Sequence, residues 1–212
     1  MLPTHMLGGM LLAVPLFWIA PELAIVGLVG GMLGGAFPDF DMYVGHRRTL
    51  HFPVYYPVIT LPIMGIAAIA PHALTVGVAF FLLGAAVHSI SDIFGGGLEL
   101  RPWEATSDRA VFDHFHGRWI RPRRFIPYDG SIEDLFLAFS LSIPLLFVLS
   151  DIYLSAVISI IGIAILYTVL RRRLARMASI IVKVVPTTLL GYVPPRYLTE
   201  EDVVISMDRP VK

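Results

Sequence analysis

Six uncharged apolar stretches divide the chain: Met6 to Pro21, Leu23 to Pro38, Phe52 to Pro71, Ala73 to Val87, Leu135 to Ser150 and Ile152 to Leu170. A helix rises about 1.5 Å per residue and needs roughly 17–25 residues to cross a bilayer. The pattern therefore predicts an all-α, polytopic membrane bundle of about six spans. The first two stretches, at sixteen residues each, also read as a short or re-entrant hairpin, which enters and leaves on the same side and so preserves the parity of everything after it. Composition agrees: 56% hydrophobic, 15% charged and mean hydropathy +0.75, against about 45–50% apolar and about 25% charged in soluble domains.

The placement of charge adds an orientation. On the six-span pattern all sixteen Lys and Arg fall on the side that holds both termini, namely Arg47 and Arg48, six arginines from Arg101 to Arg124, and eight basic residues from Arg171 onward. The positive-inside rule makes that side cytoplasmic, which predicts a multi-pass protein of the cell (inner) membrane. The opposite face carries only Glu22, His72 and Asp151 in short turns. Met1 to Pro38 contains no Lys or Arg, so no cleaved signal peptide is expected. One membrane-embedded domain, 1–198, with a cytoplasmic loop at 93–134, precedes a polar tail at 199–212.

Within that frame, Gly27, Gly31 and Gly35 stand four apart, with Gly30 and Gly34 on a neighbouring row. This small-xxx-small spacing lets membrane helices touch closely and makes the second span central. Pro57 and Pro62 are expected to bend the third. After Leu170, Leu174, Met177, Ile181 and Val184 share one face while Arg173, Arg176 and Lys183 lie elsewhere, the pattern of an interfacial helix on an anionic leaflet.

The ionisable residues converge on one membrane face. His5 sits at the entry of the first span, Asp39 and Asp41 follow the second, His46 and His51 precede the third, and His88 and Asp92 close the fourth. Ionisable groups this close to the hydrocarbon are costly and usually functional. His88 and Asp92, four apart in "HSISD", project from one side of a helix as two ligands of one ion would. Asp39 and Asp41 diverge on a helix but share a direction in an extended segment, which Pro38 favours. The chain has no Cys, so a metal here is held by nitrogen and oxygen: zinc, with manganese as the harder alternative. Each motif also has a plainer reading: His5 as an interfacial residue, the aspartates as turn caps, His88 and Asp92 as a hydrogen-bonded pair. Their convergence favours a metal or proton-handling site.

"HMLGG", "PDFD", "GHRRTLH" and "HSISD", the last followed by a Gly-rich stretch and "LRPW", occur in this order over about residues 1 to 103. In that series the chain resembles the YdjM-like (DUF457) inner-membrane family, described as membrane-bound metal-dependent hydrolases. The resemblance implies a multi-pass protein with His5, Asp39, Asp41, His46, His51, His88 and Asp92 as the matching polar positions, and these seven are the candidate metal ligands. That family is in turn similar to zinc phospholipase C and the nucleases of the P1 type, whose His-x-x-x-Asp pair His88 and Asp92 match. Phe52, where the family commonly has Ser, and the arginine-rich loop after Trp103 depart from the pattern.

A metal site at headgroup level suits hydrolysis of a phosphoester, with a phospholipid or lipid-linked phosphate as substrate and membrane lipids as partners. Asp41 is then a candidate to orient water, and Arg47 and Arg48 are candidate forked donors to phosphate oxygens. His114 and His116, beside Asp113, form a second constellation better read as part of the loop. Six acids, Glu99, Glu104, Asp108, Asp113, Asp129 and Glu133, balance the arginines of the long loop, so no nucleic-acid partner is expected. The rival readings are a non-catalytic membrane protein with a structural metal site and an ion- or proton-handling transporter. Substrate identity, metal count and oligomeric state are not fixed by the sequence.

Overall fold

The structure, a computed structural model, describes residues 1–186 together with Leu189, Val193 and Tyr197; the side chains of Ser179 and Lys183 are left aside. The expected polar tail at 199–212 lies outside the described residues. All six apolar stretches form helix: α1 (Leu2–Leu12) and the short α2 (Leu16–Ile19), α3 (Pro21–Ala36), α4 (Tyr55–Ile69), α5 (Ala73–Ser91), α6 (Ile132–Val148) and α7 (Asp151–Val184). Pro15 lacks the N–H that would carry α1 onward, and a turn at 13–15 separates it from α2. Among the described residues four helical segments are long and apolar enough to cross a membrane: Leu2–Ile19, Pro21–Tyr43, Ala73–Phe94 and Asp151–Val182. α4, at 15 residues, and α6, at 17, are about 23 and 26 Å long, short of a hydrocarbon core of about 30 Å.

α3 packs along both α1 and α5, α4 lies against α5, and α6 joins α1 to α7. Leu7, Met10, Leu28, Phe80, Leu145 and Val157 fill the space between them. Two glycines set the closeness of this packing. A Cβ on Gly31 would overlap the backbone carbonyl of Gly9 on α1, and one on Gly35 would overlap that of His5. The glycine row read from the sequence thus brings three helices into backbone contact. α3 and α5 run in the same direction while α1 opposes them, so the start of α1 and the ends of α3 and α5 meet at one end of the bundle. Apolar side chains cover the outside, among them Leu61, Phe136, Phe147 and Leu166, as a lipid-facing surface requires.

The loop between α5 and α6 folds back over that same end. Its hairpin pairs β1 (Val111–Asp113) with β2 (Arg118–Ile120), Phe112 opposite Trp119, and turns at Gly117, where φ is +65°. The Phe112 N–H donates to the Arg47 carbonyl at 2.9 Å, and the N–H groups of Arg123 and Arg124 donate to the carbonyls of Ile93 and Gly95 at 2.8 and 3.1 Å.

Two sequence expectations need correction. The basic segment after Leu170 is not a separate interfacial helix: α7 runs unbroken for 34 residues, because residues 163–184 hold no Gly or Pro to stop it. The segment holding Asp39 and Asp41 is not extended either. It is a 3-10 helix, Phe37–Tyr43, continuing α3, and Pro38, which has no N–H, leaves a carbonyl of the preceding turn without its backbone donor.

Candidate metal centre

The 3-10 geometry decides which aspartate faces the bundle. At about three residues per turn, positions two apart point in different directions, so Asp39 faces α5 while Asp41 turns toward the 44–51 loop. Asp39, His51, His88 and Asp92 each place one ligand atom within 4.8 Å of the others. His51 Nε2 lies 3.3 Å from Asp92 Oδ2 and 4.0 Å from Asp39 Oδ1. His88 Nε2 lies 3.6 Å from each of the same two carboxylates.

The other nitrogen of each ring fixes its tautomer. His88 Nδ1 is 2.6 Å from the Gly35 carbonyl, which can only accept, so Nδ1 carries the proton. His51 Nδ1 is 2.9 Å from Asp41 Oδ2 and donates in the same way. Both Nε2 atoms therefore point into the gap between the carboxylates, and both are buried without a hydrogen-bond partner. An imidazole oriented through Nδ1 by an oxygen and presenting Nε2 is how histidine usually meets a metal. The ligands of a tetrahedral ion, with bonds of about 2.0–2.2 Å, stand about 3.3 Å apart, close to the spacings found. The donor set, two nitrogens and two oxygens with no sulfur, fits zinc or manganese.

Burial is uneven around this group. His51, His88 and Asp92 are at most 1% exposed, whereas the Asp39 side chain retains 15%. Of the four, Asp39 is the residue nearest to solvent.

The remaining sequence candidates occupy other places. His5 Nε2 is 3.0 Å from Asp92 Oδ1, the oxygen turned away from the gap, and its ring stacks on His88 at 3.8 Å. Asp41 accepts four N–H bonds, from the rings of His46 (3.1 Å) and His51 (2.9 Å) and the backbone of Arg47 (3.2 Å) and Leu50 (3.1 Å). It ties the loop together and aims His51. His46 bonds to Asp41 and sets its ring edge-on to His51 at 5.9 Å.

Arg47 and Arg48 separate. Arg47 is buried with φ at +59°, a left-handed conformation that costs about 1–3 kcal/mol and tends to mark functional sites. Its Nε lies 3.0 Å from Asp92 Oδ2 as an ion pair without hydrogen-bond alignment, and its NH1 donates to the Gly96 carbonyl at 2.7 Å. Arg48 is exposed, its guanidinium over the Phe112 ring at 4.7 Å. His114 Nε2 donates to the Arg48 carbonyl at 2.6 Å, and His116 Nδ1 meets Asp113 Oδ2 at 2.5 Å. Both serve the hairpin.

His51 lies outside the spanning segments, and its protonation is set by opposing forces. Burial is the largest influence and disfavours the charged ring, but the hydrogen bond to Asp41 and the nearby Asp92 carboxylate outweigh it and raise its pKa above the usual imidazole range. A cation, whether proton or metal, is what this pocket favours.

Two participants had no side-chain signal to be read: the Gly35 and Gly96 carbonyls, which fix His88 and Arg47. Comparison with protein-family models, with curated proteins and with solved structures returned no match.

Proposed function

We propose that this chain is a membrane-bound, metal-dependent hydrolase that acts on a phosphoester, in a phospholipid or a lipid-linked phosphate, at the cytoplasmic face of the cell membrane. The observation that carries the reading is the pair of orphaned Nε2 atoms of His51 and His88, aimed with two carboxylates at one gap whose member Asp39 keeps some exposure. Four protein ligands fill a tetrahedral shell, so water or substrate would have to enter as a fifth ligand or displace one, and the partly exposed Asp39 is the ligand placed to yield. Zinc or manganese held there would act as a Lewis acid and lower the pKa of bound water.

The chain's own residues suit the rest. Asp41 holds His51, Gly35 holds His88, and Arg47 brings a cation to the edge of the gap with its NH2 arm not engaged among the described residues. A forked cation beside a metal is apt for phosphate oxygens. The site's position at the end of apolar helices, on the side rich in arginine, favours a substrate anchored in the cytoplasmic leaflet. The reading agrees with the resemblance to the YdjM-like family. A transporter is less well supported, because among the described residues the buried ionisable ones, from His5 and Arg47 to Asp92 and Asp134, gather at one end and form no path through the bundle.

The test is hydrolysis of phospholipid and lipid-linked phosphate by the metal-loaded full chain in mixed micelles, beside Asp39→Asn. Metal-dependent phosphate release that drops by about 10²-fold or more in the variant supports the proposal. No release by the loaded protein, or equal release by both, overturns it.

A further inference from the structure

An open groove of about 450 Å3 runs along the outside of the bundle between α3 and α5. Its walls are Ile25, Val29 and Leu33 on one side and Val78 and Phe81 on the other, all apolar. Its floor is narrow: a Cβ on Gly30 would come within 2.5 Å of the Gly77 carbonyl, so the two backbones touch and the side chains flanking them stand up as rims. Val29, Leu33 and Val78 are 37%, 51% and 40% exposed along those rims. Both walls belong to segments long and apolar enough to span a membrane, so the groove opens to hydrocarbon.

Both walls also lead into the metal centre. α3 passes through Phe37 to Asp39, and α5 passes from Phe81 to His88 and Asp92. At about 1.5 Å per residue, Leu33 lies about 9 Å below Asp39 and Ile25 about 21 Å below, while Phe81 lies about 10 Å below His88. One leaflet of hydrocarbon is about 15 Å deep, so the groove covers the depth at which a chain hangs from a headgroup at the centre. Phe37 packs on Phe81 at 5.2 Å at the upper end of the groove. Phe40, 71% exposed, stands next to the partly open Asp39.

We propose that this groove holds one straight acyl chain of a diacyl phospholipid whose phosphate lies at the Asp39 side of the metal centre. The inference rests on the lipid-phosphoester reading and names the substrate feature that the bundle recognises. A narrow floor closed by touching backbones takes an unbranched methylene chain more readily than a methyl-branched isoprenoid. The groove gives binding energy remote from the reacting phosphate, and it admits substrate sideways from the membrane.

The chain contains no cysteine, so a single one can be introduced and labelled with an environment-sensitive fluorophore without altering any native thiol. Full-length Val29→Cys and Val78→Cys report from the two rims, and Ile158→Cys reports from an exposed position on α7. Detergent micelles are titrated with phosphatidylglycerol brominated on its acyl chains, which quenches on contact, and in parallel with brominated diacylglycerol, which lacks the phosphate.

The expected result is saturable quenching at residues 29 and 78, half-complete at a lipid fraction about tenfold below that needed at 158, with no such preference for diacylglycerol. Equal quenching at all three positions overturns the groove as a binding site. Equal preference for diacylglycerol overturns its link to the metal centre. Because the signal is contact rather than turnover, lack of hydrolysis sinks the catalytic reading without altering this result, and equal quenching leaves metal binding and hydrolysis to stand on their own.

Discussion

His51 and His88 approach each other with their rings 5.0 Å apart at 72°, and each spends Nδ1 on an oxygen behind it. One uses a side chain, Asp41 Oδ2 at 2.9 Å, and the other a backbone carbonyl, Gly35 at 2.6 Å. Two unlike supports thus deliver the same result, an imidazole whose free nitrogen faces Asp39 and Asp92. Each support can be removed separately, which makes the arrangement open to test.

Asp41 is expected to act through His51 and the loop backbone. Asp41→Asn keeps the shape but turns an amide toward some of the four donors that the carboxylate now satisfies. Metal affinity should fall about 10- to 100-fold with the bound stoichiometry unchanged, measured by competition with a chelating indicator. Loss of all binding would mean that Asp41 is itself a ligand.

Gly35 carries both packing and chemistry. Gly35→Ala forces a methyl against the His5 carbonyl and should lower stability by about 1–3 kcal/mol, with weaker metal binding because the His88 support shifts too. At Gly65, inside α4, an added methyl would meet no described atom within 4 Å, so Gly65→Ala should be neutral or stabilising by up to about 1 kcal/mol. Thermal unfolding in detergent, with and without zinc, separates the two.

Arg47 yields effects of opposite sign. Its guanidinium competes with any cation for Asp92, so Arg47→Met should raise metal affinity. If the proposed phosphoester reading holds, the same change removes a donor to the phosphate and should slow hydrolysis by about 10²–10³-fold. A parallel fall in both would assign Arg47 to support of the fold alone.

The raised pKa of His51 sets the direction of the pH dependence. In the metal-free protein its imidazolium, held between Asp41 and Asp92, adds stability that is complete below the usual value of about 6.5 and is lost as pH rises through the raised one. Metal needs the neutral ring, so zinc affinity should climb through that same window. Melting curves of the metal-free protein and zinc titrations across the window should trend oppositely; matching trends would contradict the assignment.

Much of the centre was legible in the sequence where geometry follows from spacing. His88 and Asp92, one helical turn apart, face the same gap, and the glycine row forecast the close contact of α3 with its neighbours. Adjacent and next-adjacent residues were not legible in the same way. Asp39 and Asp41 were expected to share a direction, but the 3-10 helix separates them, since Pro38 opens a helical turn as readily as an extended segment. Arg47 and Arg48 are equivalent as sequence, and only the left-handed backbone at Arg47 turns one inward. The role of Gly35 belongs to a carbonyl, which every residue has. Continuity of α7 was masked by its change from apolar to basic faces, a change that affects what surrounds the helix and not whether it forms.

The most direct test is the metal content of the full chain after zinc loading and exhaustive removal of free ion, compared among wild type, His88→Ala, Asp92→Asn and His116→Ala. A metal centre built on the four clustered residues predicts bound zinc in wild type and His116→Ala and its loss in the other two. Zinc retained at the wild-type level by both His88→Ala and Asp92→Asn would contradict it.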